Sequence, residues 1–126
     1  MRPQSLAEVA ALTAQGDNFD RCLANFLDDF YATPRAEALL ECPSLLAPQL
    51  GKAGQIQDAY LAATAEHLAG RHSLPFPMWT LDETRQLHVP YFATPQASVR
   101  AVLLLESPAA FRSRNLFVSE NALSRA

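Results

Sequence analysis

Phe19, Cys22, Leu23, Phe26, Leu27 and Phe30 stand at i, i+3, i+4, i+7, i+8 and i+11, the cleanest apolar periodicity in the chain. The spacing predicts a helix over about 18–31, capped by Asp17 or Asn18, with Asp20, Arg21, Asp28 and Asp29 on its wet side. Ahead of it, Ser5-Leu6-Ala7-Glu8 is a capping box, whose serine and glutamate take up backbone N–H groups that a first helical turn leaves free. Leu6, Val9, Ala10 and Thr13 then share a face, and Gly16 can close the helix in the left-handed conformation. A second long helix is expected over 55–69. There Ile56, Ala59, Tyr60, Ala63 and Leu68 form a narrow apolar stripe, several alanines favour close packing, and Gly70 ends the element.

Thr33-Pro34, Thr94-Pro95 and Ser107-Pro108 each set a hydroxyl before a proline, predicting helices at about 34–41, 95–106 and 108–113. One more helical turn is expected between Pro43 and Gly51. Residues 71–94 differ in kind. Pro75 and Pro77 exclude a helix through Phe76, and His88-Val89-Pro90-Tyr91-Phe92 reads as extended. Between them Thr80-Leu81-Asp82-Glu83 is a second capping box, predicting a short helix that ends near Leu87. Leu116-Phe117-Val118 is again extended, and a last half-helix is expected over 120–126. Together these elements predict an all-α fold over residues 1–126: a compact single-domain bundle of two longer and several short helices, with a Pro/aromatic-rich extended loop.

The 126 residues are 49% hydrophobic and 18% charged, which is a globular rather than a disordered balance. The longest apolar run, 101–105, falls well short of the roughly 18 residues that a membrane span needs. No apolar signal region opens the chain, so a cytoplasmic address and two reduced, buried thiols at Cys22 and Cys42 are expected. The net charge of −3 disfavours nucleic acid, yet it is uneven: −4 over 1–50, −1 over 51–99 and +2 over 100–126.

Candidate chemistry fails on spacing. Glu66 and His67 are adjacent and diverge on a helix, and His72 lies beyond Gly70, so no metal or other cofactor is expected. No G-x-S-x-G turn presents a serine, and Gly51-Lys52-Ala53-Gly54 lacks the phosphate-loop frame. Asp28-Asp29 reads as a solvated face. Arg112 and Arg114 read first as arginines bonding helix C-terminal carbonyls and a carboxylate such as Glu106.

What remains is a surface. Trp79, Tyr91, Phe92, Arg112 and Arg114 lie outside the long helices and belong to the residue types enriched in interface hot spots. Ser107-Pro108, Phe111-Arg112, Arg114-Asn115 and Phe117-Val118, with Trp79-Thr80 and Pro90-Tyr91-Phe92 before them, resemble a run in small uncharacterised bacterial helical domains. Those domains are associated with helix-turn-helix regulators or toxin–antitoxin-like operons; the resemblance implies a regulatory or interaction role and carries over no catalytic residue. The expected function is therefore a non-enzymatic interaction domain that binds another protein, or a second copy of itself, through Trp79, Tyr91, Arg112 and Arg114. A ligand-binding protein or enzyme with a pocket near 66–92, using Glu66, His72 and His88, is the alternative. A DNA-binding regulator comes third.

Overall fold

The computed structural model describes residues 2–94 and 96–125. It is mostly helical, with 59% helix against 3% strand. The helices are α1 (Leu6–Ala14), α2 (Phe19–Ala32), α3 (Glu37–Leu40), α4 (Ala47–Leu50), α5 (Lys52–Arg71), α6 (Ala97–Glu106) and α7 (Ala109–Arg112). Two 3-10 turns, Met78–Leu81 and Glu83–Arg85, follow α5, and two short strands, β1 (Tyr91–Phe92) and β2 (Leu116–Phe117), flank α6 and α7.

The N-terminal helices form as their local signals dictate. Ser5 Oγ accepts from Glu8 N at 3.1 Å, Leu6, Val9, Ala10 and Thr13 are buried, and Gly16 takes φ +107°. Glu8 closes its half of the box one residue early, accepting from Gln4 N at 3.0 Å rather than from Ser5 N. Asn18, not Asp17, caps α2 by accepting from Arg21 N at 2.9 Å, and all six periodic apolar residues are buried. α1 packs on α2, and the Phe26 and Phe30 rings stack at 5.8 Å within the shared core.

α5 departs from expectation at both ends and in width. It runs from Lys52 through Gly70 to Arg71 and is buried on most of its circumference, from Gly54 and Asp58 through Leu61, Ala62, Ala63, Thr64 and Ala65 to Ala69. It is the axis of the fold, touching α4, α7, β2 and both 3-10 turns. Its alanines allow this, because small side chains let several elements approach one helix together. Gly54 carries the closest approach: an added Cβ would sit 2.5 Å from the Leu46 carbonyl carbon and 2.7 Å from Ala47 N. Gly54→Ala should therefore destabilise the chain by about 2 kcal/mol or more, read as a lower urea midpoint at unchanged slope.

The proline-led helices begin later than expected. Thr33 ends α2 instead of capping α3, and α3 starts only at Glu37. Thr94 Oγ1 accepts from Gln96 N at 3.3 Å, α6 begins at Ala97, and Pro95 lies outside the described residues. Ser107 does not cap α7. Its buried hydroxyl accepts from Val118 N at 2.8 Å and has Leu103 O and Val118 O within 2.9 Å, tying the end of α6 to the chain after β2. The Thr80 box is not used either: Thr80 donates to Pro77 O inside a 3-10 turn, and Asp82 caps the next turn by accepting from Thr84 N. Residues 120–123 form turns and 124–125 are irregular, rather than the expected half-helix, and the segment is held against α2 by Tyr31 Oη donating to Leu123 O and by an Arg125–Asp28 ion pair at 2.9 Å. Of the two thiols, Cys22 is buried but Cys42 is exposed.

Candidate functional site

Two buried arginines set the shape of the surface that follows α5. Arg85, 2% exposed, donates to the carbonyls of Pro43 and Asp58, with its guanidinium 4.8 Å from the Trp79 ring centroid. Asp58 lies beneath, fully buried, and accepts from Leu46 N at 2.7 Å and Ala47 N at 3.0 Å, which supplies the N-terminal cap that α4 lacks in its own sequence. Burial pushes the Asp58 carboxyl above the usual carboxylate range, while those two N–H groups and Arg85 pull it down. Arg114, 4% exposed, bonds Ala110 O at 2.7 Å and Thr80 O at 2.9 Å and pairs with Glu66 at 2.8 Å. The carbonyl contact is as expected from the sequence. The carboxylate is Glu66 on α5 rather than Glu106.

Asn115 next to it sits at φ +62°, a left-handed conformation that asparagine tolerates better than most residues. It turns the chain so that its side chain donates to Leu87 O at 2.7 Å and its carbonyl accepts from Tyr91 N at 2.9 Å. β1 and β2 then pair in parallel, Tyr91 with Leu116 and Phe92 with Phe117, and the two phenylalanine rings stack at 4.9 Å.

These braces hold residues 88–92 as a ridge with a hollow on each side. One hollow, of about 850 Å³, lies over α4 and α5 between Leu45, Ile56, Leu87 and Val89, with Lys52 and His88 also lining it. The other, of about 570 Å³, runs along β1 to Arg100. Pro90 and Tyr91 belong to both. Beyond the second hollow, α6 buries only Leu103 and leaves Ala101, Val102, Leu104 and Leu105 exposed, Leu105 at 83%. Arg100 is the one charged residue between Ala97 and Leu105.

The four residues singled out from the sequence do not share one place. Tyr91 is exposed on the ridge, 40% accessible. Arg112 is exposed at the end of α7, and none of the ion pairs among the described residues includes it. Trp79 is half-buried, packed against the core with Nε1 donating to Leu39 O at 2.9 Å. Arg114 is an internal brace, its two terminal guanidinium nitrogens taken up by Ala110, Thr80 and Glu66. Trp79→Phe should thus cost about 1 kcal/mol of stability, the net value of the lost bond, measured by urea unfolding. Glu66, His72 and His88 are also apart. Glu66 pairs with Arg114, His72 packs edge-on against Phe30 at 5.2 Å, and His88 lines the larger hollow. Among the described residues no three His, Cys, Asp or Glu side chains are grouped to hold a metal, and no helix is long and apolar enough to cross a membrane.

Reading the sequence placed a helix over α6 but did not mark it as a surface. The signal was present in the apolar run 101–105 on a helix with one charge, which alone does not distinguish a buried face from an exposed one. Comparison with models of protein families, with curated proteins and with solved structures finds no match to this chain.

Proposed function

We propose that this chain is a non-enzymatic interaction domain, a compact cytoplasmic helical bundle that docks another protein through α6 and the ridge at 88–92. The observation that carries this reading is α6 itself: a ten-residue helix that buries one side chain and exposes Val102, Leu104 and Leu105. Helices this short are marginal in water without a packed apolar face, and contiguous exposed apolar surface marks contact sites. The resemblance of 107–118 to domains accompanying bacterial regulators agrees with a regulatory interaction. Of the residues expected from the sequence, Tyr91 stays in the proposed surface, Arg112 is exposed on α7, and Trp79 and Arg114 belong to the interior instead.

The test places a photo-cross-linking side chain at Leu105, at Val89 and, as a control on α1's far end, at Gln15. One dominant protein adduct from positions 105 and 89 but not from 15, identified by mass spectrometry in the source cell, is the expected result. Adducts of equal yield from all three positions, or none, would sink the reading. Leu105→Glu should remove the adduct seen from position 89 while shifting stability by no more than about 0.5 kcal/mol, since it deletes no burial in the isolated chain.

The larger hollow favours a second reading, binding of a small apolar ligand, because its volume falls within the usual range for such pockets. Ile56→Trp, which fills that hollow, should leave the adduct from position 105 unchanged under the first reading.

A further inference from the structure

Among the described residues, the parallel pairing of β1 with β2 leaves one edge of β1 without a neighbouring strand. Tyr91 N donates to Asn115 O and Ala93 N to Phe117 O, at 2.9 and 3.0 Å, so Phe92 turns its own N–H and C=O to the opposite side. Among the described residues neither group has a partner. The hollow of about 570 Å³ lies along this stretch, lined by residues 90–94 and by Arg100 of α6. Arg100 is exposed, sits 5.2 Å above the Phe92 ring and donates from Nε to Thr94 O at 3.3 Å. Its guanidinium has no carboxylate within 4.0 Å among the described residues, although the chain as a whole is acidic.

A free strand edge, an adjoining hollow and an unpaired cation on its wall form the elements of strand-addition recognition. We propose that the edge of β1 takes an extended segment of the partner as an added strand, with an acidic side chain of that segment on Arg100; this rests on the docking reading above. The pleat specifies the pattern. The residue opposite Phe92 projects to the same face as the Phe92 ring and Arg100, and is acidic. Its neighbours on either side project to the Tyr91 face and are apolar. The recognised unit is one carboxylate between two apolar residues, held in an extended conformation. The direction of the added strand does not alter this pattern, because residues in register share a face in both arrangements.

The probe is a fluorescein-labelled octapeptide, Gly-Ser-Thr-Val-Asp-Val-Thr-Ser-amide, titrated by fluorescence polarisation with the full chain. A version with Lys in place of Asp should bind at least about tenfold more weakly, and so should a version methylated at the amide nitrogens of both the Asp and the Val after it, one of which donates to the Phe92 carbonyl in either strand direction. Arg100→Glu should invert the preference, taking the Lys peptide over the Asp peptide, while its thermal melt falls by no more than about 3 °C, the cost of its exposed bond to Thr94 O and its place over the Phe92 ring. Equal affinity for the Asp and Lys peptides overturns the proposal. So does indifference to N-methylation, or no binding of any peptide at about 1 mM. Sedimentation showing a dimer that the peptide does not dissociate leaves the edge to the peptide. A dimer that the peptide does dissociate assigns the edge to a second copy and also overturns it. If the peptides fail while cross-linking from Leu105 still yields its single adduct, docking stands and only the strand mode is lost.

Discussion

Arg114→Met is expected to lower stability by about 3 kcal/mol, a drop of roughly 10 °C in Tm for a chain of this size. The arginine joins three segments at once: Glu66 on α5, Ala110 on α7 and the Thr80 carbonyl in the first 3-10 turn. Methionine matches its apolar stem but leaves the Thr80 carbonyl, in a residue 1% exposed, without a donor. Glu66 is 34% accessible and can turn to water, which keeps the loss below that of a fully buried pair. Arg114→Lys should recover only part of it, since one ammonium cannot reproduce a planar fork reaching carbonyls on opposite sides. Calorimetric melts of the three proteins check the order wild type, Lys, Met. Equal melting of the Met variant and wild type would remove Arg114 as a brace.

Asp58→Ala should cost about 3 kcal/mol, because it orphans the buried Leu46 N and the half-buried Ala47 N. It also removes the buried countercharge facing Arg85. Asp58→Asn, which still offers one acceptor, should fall between. Asp58 carries a pH signature as well. Its folded carboxyl lies above the ordinary 3.8, so the folded chain holds that proton more tightly than the unfolded chain does. The associated stability is fully present below 3.8 and is lost as pH rises through the folded value. The stability gap between wild type and Asp58→Asn should therefore narrow as pH is raised across that window. Asp28 gives the opposite slope: its hydrogen bond from Arg125 holds its carboxyl below the usual range, and the stability it contributes is lost as pH falls. Urea titrations of wild type, Asp58→Asn and Asp28→Asn at a series of pH values compare the two sites directly. A gap that widens for Asp58→Asn with rising pH contradicts the assignment.

Much of the helical content was legible because its causes are local. The Phe19–Phe30 periodicity, the Ser5 and Asn18 caps and the left-handed Gly16 each act within a turn or two of chain. The candidate site was legible only in part. Tyr91 was found by residue type, but the same criterion chose Arg114, whose burial makes it a support. Hydroxyl–proline pairs and the Thr80 capping box marked where the chain changes direction without marking which group would cap, because Ser107 and Thr80 found better partners in buried neighbours.

The amino-acid order by itself determined the two long helices, the extended chain at 91–92 and 116–117, and the acidic body with its more basic end. The tertiary structure alone decided that α5 is surrounded, that Arg85 and Arg114 are internal, that β1 meets β2 in parallel, and that α6 turns its apolar arc outward. The reason is distance along the chain. A cap or an amphipathic face is settled by residues a few positions apart, whereas Arg85 with Pro43, Arg114 with Glu66 and Tyr91 with Asn115 meet only when the fold brings remote segments together. An apolar residue has the same composition whether it faces the core or water, and only the packing of its neighbours makes the difference.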